Sequence, residues 1–238
     1  MRAMRTARLG AVAAILAISY PAEVAAGTGT RGAGSGFGPG SARITNRYLP
    51  ISEFDRCVLQ GNDGGQRLRI VRILMDRTKV IHFRGREVRA AVVRDTVRNL
   101  RSDRRIEKTI DYFAQDRRGG VHYLGEDVDE YLPDGSVSHE GQWRVGRNGA
   151  HLGLLMPAEP AAGRRFRSEN APGIAIEKDR VVSLDGTETV RGQTYDHVMK
   201  IREHATVPKP DEFETKTYAR GVGVITEANG GVGLVGCS

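Results

Sequence analysis

Apolar side chains recur with period two through most of this chain, and no stretch holds the i, i+3, i+4, i+7 spacing of an amphipathic helix for long. The segments 67–75, 87–100, 105–116, 120–131 and 136–145 all read as strands. Between them stand "GNDGG" (61–65), "RSD", "DRRGG" (116–120) and "PDGS" (133–136), whose glycines supply the positive φ that tight hairpins need. The segment 148–163, with its prolines and glycines, reads as a long connection. Strands resume in "RRFRSEN", "IAIEKDRVVSLDG", "QTYDHVMKIREHA", "FETKTYA" and "GVGVITEA", while "RTKVIHFRG" (77–85) fits a short strand or a helical turn. There is no solenoid repeat. The pattern predicts an all-β fold in a single domain, a long antiparallel meander of ten or more strands forming a strongly curved sheet or an open barrel.

The two ends read differently. Arg2, Arg5 and Arg8, the apolar run Leu9 to Ile18 and the small residues Val24 to Ala26 have the layout of a secretory signal over 1–26, too short an apolar run to span a bilayer. Residues 27–43, rich in Gly and Ser, suit a flexible linker. A β domain is then expected over 44–229 and a flexible tail over 230–238. The protein is expected to be exported, periplasmic or extracellular, and monomeric. In that compartment Cys57 and Cys237 could be bridged or free, the second depending on whether the tail is ordered.

Charge changes the picture only locally. With the signal removed, the 36 basic and 29 acidic residues of the chain become 33 and 28. Residues 67–105 hold thirteen Lys/Arg against four Asp/Glu, and residues 106–142 hold three against nine. Cross-strand pairing of a basic segment with an acidic one accounts for this split. A nucleic-acid partner is not expected, since no aromatic residues interleave the arginines as a stacking platform requires.

The candidate chemistry concentrates in "DYFAQDRRGGVHYLGEDVDEY" (111–131). Alternation sends Glu126 and Glu130 to one face and Asp127 and Asp129 to the other, so four carboxylates cannot converge on one ion. Asp127 and Asp129, with Asp134 from the next turn, could hold Ca2+ if other oxygens joined them, although the spacing is not that of a calcium loop. His122 falls on the face of Leu124 and Glu126, near Asp111, Phe113 or Gln115 according to register. A histidine beside a carboxylate is the start of an acid/base pair, but no nucleophile motif completes it. Gly221 and Gly223 form a G-x-G that opens a strand, where they turn the chain and do not cradle phosphate. Tyr112, Phe113, Tyr123 and Trp143 could line the concave side of a curved sheet and bind a ligand there.

The pieces "ITNRYLPI", "VVRDTV", "DYFAQDRRGGVHYLGED", "EGQW", "MPAEPAAGRRF" and "YARGVGVI" occur in this order, and together they resemble a family of exported bacterial β-rich proteins of unassigned function. His122 stands where that family usually has an aromatic residue, and Arg220 where it usually has proline. The layout is also similar to curved-sheet proteins of the bacterial envelope, some of which carry lipids or lipoproteins; that likeness is one of fold. The expected function is non-enzymatic: binding of an apolar or amphipathic ligand, or of an envelope partner, in the concavity of the sheet. The alternatives are a calcium-stabilised structural domain and a hydrolase using His122 with a neighbouring carboxylate.

Overall fold

The computed structural model describes residues 36–207 and 212–238; the expected signal segment lies outside them. The period-two pattern becomes one antiparallel sheet of fourteen strands, with two 3-10 turns and no α-helix among the described residues. The strands are β1 (Arg56–Asp63), β2 (Gln66–Phe83), β3 (Arg86–Asn99), β4 (Arg105–Gln115), β5 (Val121–Tyr131), β6 (Val137–Ser138), β7 (Trp143–Arg144), β8 (Gly153–Met156), β9 (Arg165–Ala171), β10 (Ala175–Val190), β11 (Gln193–Val207), β12 (Glu212–Ala219), β13 (Gly223–Glu227) and β14 (Val232–Cys237). Twelve run in the order β6-β5-β4-β3-β2-β1-β14-β13-β12-β11-β10-β9, and β7 and β8 both pair with β5. Two meanders therefore lie side by side and join where β1 pairs with β14. The sheet does not close into a barrel, but its far ends approach: the His151 N–H donates to the Asn170 carbonyl at 2.8 Å. Gly153 lies so near β9 that a Cβ there would sit 1.8 Å from the Ser168 carbonyl oxygen.

The ambiguous segment 77–85 continues β2, past a register shift between Leu74 and Thr78. The expected strand over 136–145 survives only as the short β6 and β7, because a turn in which Gln142 N–H donates to the His139 carbonyl interrupts it. The long connection contains β8, which adds to β5.

Residues 27–35 of the expected linker lie outside the described residues, but the described segments 36–43 and 232–237 are more ordered than their composition suggested. Residues 36–43, expected as linker, pack onto the sheet: the Ser41 hydroxyl donates to the Arg89 carbonyl at 2.7 Å, and the Gln115 N–H donates to the Ser41 carbonyl at 2.8 Å. The expected flexible tail is instead β14, a central strand between β1 and β13. Cys57 and Cys237 are register partners across β1 and β14 and form a disulfide across a sequence separation of 180. In the chain-entropy model such a loop stabilises the fold by about 5 kcal/mol.

Apolar side chains pack on both faces. The inner face holds Phe113, Tyr123, Met199, Ile201 and Tyr218, covered at one end by Ile44, Tyr48 and Leu49. The opposite face of β2 to β5 buries Val88, Val92, Tyr112, Leu124 and Val145, with Phe37 and Leu152 packed against them. The "ITNRYLPI" segment is pinned by Asn46, whose Nδ2 donates to the Gly119 and Pro157 carbonyls at 2.8 and 3.2 Å, and whose Oδ1 accepts from the Tyr48 N–H at 2.9 Å. That hub carries Leu49 and Ile51 into the concavity.

Candidate ligand cavity

The concavity encloses a cavity of about 170 Å³. Alternation directs Ile70 and Arg72 of β2, Asp95 and Val97 of β3, and Glu107, Thr109, Asp111 and Phe113 of β4 into it. Tyr123 and Glu126 of β5 face them, and the second meander adds Glu169, Glu177, Glu214, Lys216, Tyr218, Val224 and Glu227. Eight carboxylates thus line the wall, those of Asp95, Glu107, Asp111, Glu126, Glu169, Glu177, Glu214 and Glu227, against two cations, Arg72 and Lys216.

Hydrogen bonds hold this polar lining in place. Arg72 donates from Nε and Nη2 to Asp95 Oδ2 at 2.9 and 2.7 Å, and from Nη2 to Glu227 Oε1 at 3.2 Å. Lys216 Nζ lies 2.8 Å from Glu203 Oε2. Asp111 accepts from the Tyr123 hydroxyl at 2.5 Å and the Thr109 hydroxyl at 2.8 Å, the Trp143 indole N–H donates to Glu126 at 3.2 Å, and the Ser168 hydroxyl donates to Glu177 at 2.6 Å. Burial disfavours the charged form of these acids. It pushes Asp111 up to about 6 and holds Glu107 well above the carboxylate range, where Asp95 and Asp111 add to the shift. Glu126 and Glu169 are raised in the same way, by burial and then by Glu169 and Glu177 respectively. Burial works against the Lys216 charge too, but Glu203 and Glu214 outweigh it and its pKa rises.

A single glycine sets the inward face of β5. Asp111 pairs with Glu126 and Phe113 with Tyr123, so Leu124 and Gly125 together oppose Tyr112 in a β-bulge. Gly125 has φ of 123°, and a Cβ there would sit 2.2 Å from the Trp143 carbonyl oxygen. Tyr123 and Glu126 consequently share the cavity, whereas unbroken alternation placed Glu126 with His122 and Leu124.

The aromatic candidates divide. Phe113 and Tyr123 line the cavity with ring centroids 4.8 Å apart. Trp143 stands behind Tyr123, edge to face at 5.2 Å. Tyr112 points to the other side of the sheet, with the Arg144 guanidinium 3.7 Å from its ring centroid and its hydroxyl donating to Asp127 at 2.7 Å.

The acidic trio Asp127, Asp129 and Asp134 is not brought together. Asp127 is held by Arg144 at 2.5 Å; Asp129 by Lys108 at 2.5 Å and His139 at 3.2 Å; Asp134 by the N–H and hydroxyl of Ser136 within its own turn. Among the described residues, the acidic group whose oxygens do converge, within 4.8 Å of one another, is Glu177, Asp179 and Glu203. It had a faint signal in the sequence, the Glu-x-Asp alternation of β10.

His122 is buried against Asp116, with Nε2 2.8 Å from Asp116 Oδ2 and Nδ1 3.1 Å from the Gly153 carbonyl. Asp116 also accepts from the N–H groups of Arg118 and Gly120 at 2.8 and 3.0 Å; burial works to raise its pKa, but the bond to His122 and then these two outweigh it and the pKa falls. Both ring nitrogens are committed to the "DRRGG" turn and to β8, and His122 is not part of the cavity wall. The pair fastens a hairpin.

No family model matches the chain, and no curated protein or solved structure matches it either.

Proposed function

We propose that this protein binds, without chemical conversion, a small amphipathic molecule in the interior cavity, and that the polar end of that molecule is cationic, as in an amine. The observation that carries the reading is the imbalance of the wall, eight carboxylates against Arg72 and Lys216. A protonated amine entering among raised carboxylates gains charge-assisted hydrogen bonds in a site of low dielectric, while Leu49, Ile51, Phe113, Leu155 and Val224 offer apolar surface to the rest of the molecule. The disulfide is compatible with an exported protein, and binding in the periplasm or outside the cell is the setting we assign.

The test is calorimetric titration with short alkylamines and with alkyl carboxylates of matched length. Amines should bind, more tightly near pH 8 than near pH 5, because the acids that receive the cation must first lose their protons. Replacing Glu126 by Gln should weaken the amine and leave the fold intact. Carboxylates binding as well as amines, or no amine binding at either pH, overturns the reading.

A further inference from the structure

The outside of the second meander carries a different surface. Alternation puts Arg165 and Arg167 of β9, Lys178 and Arg180 of β10, and Arg202 of β11 on the outer face, all exposed, around an open cleft of about 610 Å³. Arg180 is the register partner of Arg165 on one side and of Arg202 on the other, so three guanidinium-bearing positions stand in one row across three strands. Like charges directly opposite one another destabilise a sheet. Among the described residues no carboxylate forms an ion pair with Arg165, Arg167, Lys178 or Arg180, whereas Lys200, two residues before Arg202 on the same face of β11, pairs with Glu188 at 2.8 Å. The same face exposes two large apolar side chains, Val182 at 52% and Phe213 at 44%. Phe213 is stacked on His204 at 4.2 Å, with the Arg202 guanidinium 4.5 Å from its centroid.

We propose that this face docks on the anionic phosphate headgroups of a lipid bilayer, with Phe213 and Val182 reaching into the interfacial region between them. The combination is that of a peripheral membrane surface: clustered cations attract the negative leaflet, and exposed apolar side chains at its edge add contact with the acyl boundary. A single-stranded nucleic acid fits less well, since it needs several aromatic side chains to stack successive bases and this face exposes one. The proposal stands apart from the cavity, which opens on the other side of the same strands.

The experiment is co-sedimentation of the full chain with vesicles. Vesicles of phosphatidylcholine containing about 30% phosphatidylglycerol should take up the protein at about 50 mM salt and release it at about 500 mM; pure phosphatidylcholine should not bind it. The double variant Arg180→Gln/Arg202→Gln should lower the partition coefficient about 30-fold, from roughly a fivefold loss per cation, and adding Phe213→Ala should lower it severalfold more. The variant Arg77→Gln/Arg86→Gln removes the same charge from exposed positions of β2 and β3 and should change it less than threefold; thermal melts establish that all variants fold. Equal loss in both double variants overturns the proposal, because the binding would then follow net charge alone. So does absence of vesicle binding, release by millimolar inorganic phosphate at constant ionic strength, or binding of a single-stranded oligonucleotide in place of vesicles.

Discussion

Strand β10 reads Glu177-Lys178-Asp179-Arg180, and the two faces it builds could hardly differ more. Inward, Glu177 and Asp179 join Glu203, Glu214 and Lys216 around the cavity, where the pKa of Asp179 is raised by burial and then by Glu177. Outward, Lys178 and Arg180 join Arg202 in water. Equal numbers of charges, one residue apart, meet opposite physics: inside, each charge needs a partner or a proton, and outside, solvent screens it. Charge counted by segment cannot see this, because a strand that alternates acid and base is neutral on average and strongly polarised across the sheet.

The comparison can be broken from the inside first. Lys216→Met leaves Glu203, Glu214 and Glu227 without their shared cation; removing one partner of a buried pair costs about 3–5 kcal/mol. The loss should be largest near pH 8 and smaller near pH 5, where Glu203 and Glu214 take up protons, as urea unfolding at the two pH values will show. Gly125→Ala attacks the bulge that turns Glu126 inward. With a positive φ and a Cβ aimed at the Trp143 carbonyl, it should destabilise by about 3 kcal/mol and break the pairing of β7 with β5, visible as loss of Trp143 fluorescence burial.

Proton linkage gives a smaller effect of definite sign. The folded-state pKa of Asp111 is about 6, above the value near 3.9 expected in the unfolded chain, so folding takes up a proton between them. Its contribution is therefore fully present below about pH 4 and lost as pH rises through 6. The melting temperature should be higher at pH 5 than at pH 8, and Asp111→Asn should flatten that dependence by on the order of 2 kcal/mol. On the outer face, Arg180→Gln should change stability by less than about 0.5 kcal/mol, with a gain more expected than a loss because Arg165 and Arg202 flank it. An outer substitution as costly as Lys216→Met would remove the distinction between the faces.

The strands and their hairpins were legible because alternation and turn glycines are local properties. Tyr112, Phe113, Tyr123 and Trp143 were grouped in the sequence for being aromatic; only Phe113 and Tyr123 line the cavity, and the neighbours Tyr112 and Phe113 face opposite ways, as alternation requires. Three things escaped. The bulge at Gly125 is one residue that reverses the facing of everything after it, and a lone glycine in a strand does not announce which way. The strand Val232–Cys237 hid in a glycine-rich stretch; Gly233 is small because a Cβ there would lie 2.8 Å from a Val190 methyl, a contact made by a distant hairpin. The cavity acids come one or two at a time from strands spread over 95–227, whereas attention in the sequence goes to the dense run at 126–130, whose Asp127 and Asp129 turn out to be spoken for by Arg144 and Lys108.

The junction of β1 with β14 gives the molecule a spine. Every other neighbouring pair along the main path joins strands consecutive in sequence, so each meander can zip up by short hairpins at little loop-closure entropy. Only the spine brings together residues about as far apart as the domain allows, and the Cys57–Cys237 bond is placed on that pairing. Once oxidised, the two fans share a covalent rib, so a chain in which either one opens keeps Cys57 and Cys237 side by side and re-forms the β1–β14 pairing without a long loop to close.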